Sequence, residues 1–250
     1  LKQRKGLTNM LHFELQRASD KLIREVFAVK KDEVVVITAD TGSDMELVHA
    51  VASSVYAAGA KPMVITIVAP DGVGKAADPG IPVDCLTGAL LHCDVWIEFN
   101  HQWLLYSTPF ERALDGNKKM RYMCLVDFDC ALLTRVVGKV ETPQLQKFMT
   151  AVANIHENAR EVHVTTPAGT DVSFLIDPEH VMSNDCGDAS QPGMHFLTGQ
   201  LNVIPQFDTI KGKIVFDGTI TPPFGKVPDA PVTLYVDQGR IQRIEGGRAA

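Results

Sequence analysis

The chain has 250 residues, 45% of them hydrophobic and 22% charged, with a formal net charge of −6. That is enough apolar material for one large or two modest domains, and the acidic balance gives no electrostatic reason to expect nucleic acid or an anionic membrane as partner. No window approaches the roughly eighteen consecutive apolar residues of a membrane span and no leader pattern opens the chain, so a cytoplasmic protein is expected.

Asn9 to Lys30 carries Met10, Leu11, Phe13, Ala18, Leu22, Ile23, Val26 and Phe27 near the 3.6-residue period of a core-packed helix. Glu33 to Thr38 is a short continuous apolar run, the pattern of a strand buried on both faces in a parallel sheet. After it, Ser43 and Glu46 stand at capping-box spacing, which predicts a second helix with Ser43 as N-cap. Gly59 suits a left-handed end to that helix, Pro62 forbids its continuation, and Met63 to Ala69 reads as the next strand. The same alternation recurs: a helix at Val83 to His92 before a strand at Val95 to Phe99, and a helix at Pro109 to Asp115 before a strand at Arg121 to Val126. Strand and helix in turn predict an α/β domain on a parallel sheet. Thr142-Pro143 then opens a helix with Leu145, Phe148, Met149, Val152 and Ile155 on one face.

Near Ala159 the pattern changes to strands alone. Val162 to Thr166 and Val172 to Ile176 flank a hairpin connection, and Val232 to Val236 and Arg240 to Ile244 flank another around Asp237-Gln-Gly239. Between them, Met194 to Ile204 and Lys211 to Phe216 read as antiparallel strands of one sheet. The expected organisation is an α/β domain over residues 1–160 and a mainly antiparallel β domain over residues 161–250, with both chain ends reading as cut.

Few motifs survive their context. Gly72 to Ala77 has glycine spacing suggestive of a phosphate loop, but Asp78-Pro79-Gly80 breaks the helix that would hold the phosphate, so a surface loop is expected. The five cysteines, Cys85, Cys93, Cys124, Cys130 and Cys186, are odd in number and lack CxxC spacing, which predicts buried, reduced thiols. No two histidines stand at HExxH spacing. His101 follows the carboxyl end of a strand, where α/β folds place their ligands. His195 stands where a ring projects from a rigid element, and Asp185 lies in the polar loop before it; facing one cleft, the carboxylate would fix the imidazole tautomer.

Thr166 to Asp171, Thr198 to Pro205, Thr209 to Asp217 and Val236 to Arg240 resemble, in order and spacing, the thermophilic-type metallo-aminopeptidases and their relatives, the 2,5-dihydroxypyridine ring-opening dioxygenases. In the peptidase branch the resemblance implies a metal-ligating glutamate at the position of Gln200 and a site of two zinc or cobalt ions. An amide there is a poor ligand for a second cation. The dioxygenase branch, which is nearer, implies one non-haem Fe(II), with ligands expected downstream of Ala250. Its Leu-Leu-His-Ser stretch lines up with Leu104 to Ser107, so Tyr106 stands where the family has a base, and a phenol is a weak base near neutral pH.

The expected function is therefore a metal-dependent, ring-cleaving dioxygenase taking dioxygen and a small hydroxylated heteroaromatic substrate, in a homo-oligomer. His195 and Asp185 are its expected catalytic residues, and Tyr106, His101, Leu105 and Gln200 its substrate-binding ones. The alternatives are a two-metal aminopeptidase and a metal-free binding protein.

Overall fold

The computed structural model describes residues 12–179, 183–197, 199–220 and 227–247. The chain forms two compact units, one of Leu1–Met149 with Asp185–Gln200, the other of Thr150–Asn184 with Leu201–Ala250. The division runs at residue 149, ahead of the composition shift, because α6 (Thr142–Glu157) carries the chain from one unit to the other.

The first unit is built on five strands, β1 (Val34–Asp40), β2 (Lys61–Ile67), β3 (Val95–Glu98), β4 (Arg121–Cys124) and β8 (Gly193–His195), in the order β2-β1-β3-β4-β8 and parallel throughout. One face is covered by α1 (His12–Lys21), its π-helical continuation Leu22–Val26, α2 (Met45–Ala57) and α5 (Cys130–Leu133). The other is covered by α3 (Val83–Leu90) and α4 (Thr108–Gly116). Val35, Val36 and Ile37 are wholly buried, as their unbroken apolar run requires of a strand between two helical layers. On the α3/α4 face the rings of Trp96 and Tyr122 lie 4.3 Å apart and Phe110 closes on both. Such aromatic pairs add about 1 kcal/mol each beyond the area they bury. β2 is the sheet edge, where Pro62 lacks only a donor that no neighbouring strand needs.

The N-cap of α2 is Asp44 rather than Ser43: Asp44 Oδ1 accepts from the N–H groups of Glu46 and Leu47 at 3.1 and 3.4 Å. Ser43 turns back instead, its Oγ accepting from the N–H of Asp40 at 2.8 Å. In α3, a methyl added to Gly88 would meet nothing within 4 Å. Gly88→Ala is expected to raise thermal stability by about 0.5–1 kcal/mol, the helix-propensity difference, as read by a denaturant titration.

The second unit holds β5 (Glu161–Thr165), β6 (Asp171–Leu175), β10 (Lys211–Phe216), β11 (Val232–Asp237) and β12 (Arg240–Glu245) as an antiparallel sheet of order β12-β11-β10-β6-β5. Both hairpins read from the sequence are present, the second turning through Gln238 at φ +49° and Gly239 at φ +69°. The expected single strand Met194 to Ile204, paired with Lys211 to Phe216, does not form. Its front part is β8, in the parallel sheet of the first unit, and its rear part is β9 (Gln200–Asn202), which pairs with β7 (Ser183–Asp185). Gly199 at φ +85° turns the backbone between β8 and β9, where one continuous strand would have to run straight. Among the described residues no helix is long and apolar enough to cross a membrane.

Candidate functional site

Strand order places the topological switch of the parallel sheet between β1 and β3, since the chain winds one way from β1 to β2 and the other way from β3 to β4. Ligands of such sheets bind beyond the carboxyl ends of the strands that flank the switch. The loops that leave those ends, Asp40 to Asp44 after β1, Phe99 to Ser107 after β3 and Leu125 to Asp129 after β4, hold an unusual concentration of buried polar groups and strained backbone.

Glu98, the last residue of β3, is fully buried. Its Oε1 accepts from the N–H of Leu104 and its Oε2 from the hydroxyl of Tyr122, both at 2.5 Å. Loss of hydration outweighs these bonds and pushes the carboxyl up to about 7. The same burial, with Glu98 beside it, drives the Tyr122 phenol well above its ordinary value. A carboxyl in the middle of the sheet thus clamps the loop that carries Leu105 and Tyr106. Leu105 packs half-buried against the α3/α4 core. Tyr106 is exposed, edge-on to Phe110 at 5.7 Å, and sits at φ +66°. A bulky residue in that region is an outlier, held by the anchored Leu104 on one side and by Ser107, N-cap of α4, on the other.

His101 lies at the top of the same loop. Its Nδ1 is 2.8 Å from Oδ1 of Asp127, a residue at φ +58° in the loop after β4. The N–H of the next residue, Gln102, donates to Oδ2 of Asp40 at 2.9 Å, while Oδ1 of Asp40 accepts from Gly42 at 2.8 Å. Asn100 is fully buried, and among the described residues neither its Oδ1 nor its Nδ2 has a hydrogen-bond partner.

His195 and Asp185 do meet, with Nδ1 to Oδ2 at 3.7 Å and both side chains largely buried. That distance is an ion-pair contact and not a hydrogen bond. The carboxylate is taken by backbone: Oδ2 accepts from Phe196 at 2.7 Å and Oδ1 from Gly187 at 3.1 Å. The imidazole is held instead by the carbonyl of Gln191, 2.7 Å from Nε2. The register of β8 on β4 pairs His195 with Met123 and Met194 with Tyr122. Met123 belongs to the core under α1 and α2, and Tyr122 to that under α3 and α4. Pleating therefore puts His195 on the face opposite the one that Leu105 and Tyr106 cover. The expected residues fall into two groups, not one cleft: His195 with Asp185, and His101 with the loop of Leu105 and Tyr106. Gln200 stands on β9, half-buried.

Glu98, Asn100 and Asp127 are absent from the sequence expectations. Two carried a signal: Glu98 is a charge in an otherwise apolar strand run, Val95 to Phe99, and Asp127 follows the carboxyl end of a strand. The cysteines are all free, and burial pushes the thiols of Cys93, Cys124 and Cys130 up to about 12, but Cys85 is exposed, against expectation, because it lies on the outer face of α3. Among the described residues no three His, Cys, Asp or Glu side chains converge so as to hold a metal ion.

A family model described as NicX, 2,5-dihydroxypyridine 5,6-dioxygenase, matches residues 20–250. No curated protein matches the chain in sequence. Among solved structures, the 2,5-dihydroxypyridine dioxygenase of Pseudomonas putida KT2440 is similar with a TM-score of 0.73 at 22% identity, over 94% of this chain and 68% of that one. Wild-type AmpT from Thermus thermophilus is similar with a TM-score of 0.62 at 11% identity, over 94% of this chain and 72% of that one. At these identities the two structures share the fold, a parallel-sheet α/β unit with an antiparallel β-rich unit, and the family match adds the lineage. The chain belongs to the 2,5-dihydroxypyridine 5,6-dioxygenase family.

Proposed function

We propose that this chain acts as a ring-cleaving dioxygenase on a dihydroxypyridine or a close hydroxylated N-heteroaromatic, with dioxygen as co-substrate and Fe(II) as metal, in a cytoplasmic homo-oligomer. The observation that carries this reading is the family match, which runs from residue 20 through the end of both units. The family implies a metal cofactor. The described residues do not make up a site for one, so iron enters through the family alone.

What the chain's own residues supply is positioning and proton handling. The clamp at Glu98 presents Leu105 as an apolar wall and Tyr106 as a hydroxyl that donates to, or accepts from, a ring substituent. On the other face His195, its Nε2 proton held by the Gln191 carbonyl and its Nδ1 turned to Asp185, is the proposed acid/base group, with Asp185 fixing the loop behind it. Gln200 is the proposed polar contact of β9.

The test is anaerobic purification of the full-length protein, metal analysis, and dioxygen uptake with 2,5-dihydroxypyridine. About one iron per chain and substrate-dependent uptake are expected. Two zinc or cobalt ions with peptide hydrolysis would instead favour the aminopeptidase reading, which the likeness to AmpT leaves with the fold alone. His195→Ala is expected to lower turnover about a hundredfold with little change in melting temperature, the usual contribution of a positioned acid/base group. Near-normal turnover in that variant removes His195 from the reaction.

A further inference from the structure

The pair of His101 and Asp127 lies on exposed loops, where an ion pair adds at most about 1 kcal/mol to stability. Yet it is placed with more constraint than a solvated pair requires. A methyl added at Gly42 would stand 2.9 Å from Cβ of His101 and 3.1 Å from its Cγ and Cδ2, so the ring lies directly against bare backbone of the β1 loop. The residue after it is tied to Asp40, and the residue before it is Asn100, a buried carboxamide with no partner among the described residues. Asp127 is held at φ +58°, with its N–H donating to the Asn100 carbonyl at 3.2 Å. Strain of that kind costs on the order of 1 kcal/mol and persists where the surroundings enforce it. Three loops, from β1, β3 and β4, thus converge to orient one imidazole beside the switch point of the sheet.

A carboxylate only accepts, so Nδ1 of His101 is the protonated nitrogen when the ring is neutral, and the lone pair is on Nε2. Among the described residues Nε2 has no hydrogen bond. We propose that His101 is a proton-accepting catalytic residue, with Asp127 as the positioning residue that fixes its tautomer. This rests on the function proposed above for the substrate class, a hydroxylated heteroaromatic ring. The step is one proton transfer: the substrate O–H bond breaks, an Nε2–H bond forms, and the products are a substrate oxyanion and an imidazolium paired with the Asp127 carboxylate. No oxidant or reductant is involved, and the proton leaves again by the reverse transfer to product or water.

The experiment uses Fe(II)-loaded full-length protein with 2,5-dihydroxypyridine. His101→Ala is expected to lower kcat about a hundredfold with a smaller change in KM, and added imidazole to restore a measurable part of the loss. Asp127→Ala is expected to lower kcat about tenfold and to shift the His101 ring from the Nδ1–H to the Nε2–H tautomer in its ¹⁵N spectrum. Both side chains are exposed, so melting temperatures should match the wild type, and His101→Gln gives a second variant should the alanine misfold. Absence of rescue by imidazole, or a tautomer indifferent to Asp127, overturns the assignment. A wild type that fails to turn over 2,5-dihydroxypyridine sinks the reaction proposed above but not the dyad. The dyad then stands or falls on whether adding that compound perturbs the His101 Nε2 resonance.

Discussion

Glu98→Ala is expected to destabilise the first unit by about 3–5 kcal/mol, because it strands the Leu104 N–H and the Tyr122 hydroxyl without an acceptor inside the sheet. Buried donors left unpaired cost about 1–3 kcal/mol each, and the cavity of the lost side chain adds to that. The sharper test is Glu98→Gln, which keeps the shape and one acceptor oxygen but removes the titration. In the unfolded chain the carboxyl releases its proton near its ordinary 4.5, and in the folded chain near 7. Between these values the folded form keeps a proton that the unfolded form has lost, so the stabilisation is complete below pH 4.5 and is lost as pH rises through 7. Values about 2.5 apart, at about 1.4 kcal/mol each, make that loss about 3 kcal/mol. Urea titrations from pH 4.5 to 8 should show the wild type weakening over this range relative to Glu98→Gln. Parallel curves for the two proteins would mean that the Glu98 carboxyl releases its proton at the same pH in the folded and the unfolded chain.

The consequence for function follows from what Glu98 holds. The loop from Gln102 to Ser107 is anchored at Asp40, at Glu98 and at the N-cap of α4, and Tyr106 takes its left-handed backbone between the last two. With the Glu98 anchor released, Tyr106 is free to relax to ordinary φ and the loop top that bears His101 loses its base. Glu98 therefore links the stability of the sheet to the geometry at its carboxyl edge.

Much of this architecture is legible in the sequence, and the reasons differ by element. The run Val34 to Thr38 declares a buried parallel strand because both of its faces must be apolar. The hairpin of β11 and β12 declares itself through a turn that needs positive φ at Gly239. By contrast, Met194 to Asn202 has the composition of one long strand, and its parts belong to different sheets, with the backbone turning at Gly199 between them. Composition records the preference for extended backbone, not the partner. The site was harder still. The pairing of His101 with Asp127 spans 26 residues and depends on β3 and β4 being neighbours, which no local pattern encodes. His195 and Asp185, read from one loop and one strand start, do come together, but backbone groups take the bonds that spacing assigned to the two side chains.

In the second unit, Gly212→Ala is expected to destabilise the antiparallel sheet by about 3 kcal/mol or more. Gly212 sits in β10, the strand flanked by β6 and β11, opposite Val172 on one side and Val236 on the other. Its φ is +129°, and an added Cβ would overlap the carbonyl oxygen of Asp171 and stand 2.8 Å from Cα of Val172. Both obstacles are backbone, so no side-chain rotation relieves them. Either β10 slides away from β6, losing ladder bonds at Lys211 to Lys213, or residue 212 flips to negative φ and breaks its register with Val236. Backbone strain of this kind costs about 1–3 kcal/mol before any ladder bond is lost. Amide hydrogen exchange separates the two routes. Faster exchange confined to β6 and β10 marks the slide, while faster exchange at β11 marks the flip. Unchanged protection in all three strands would show that the close approach of β10 to β6 is not part of the folded sheet.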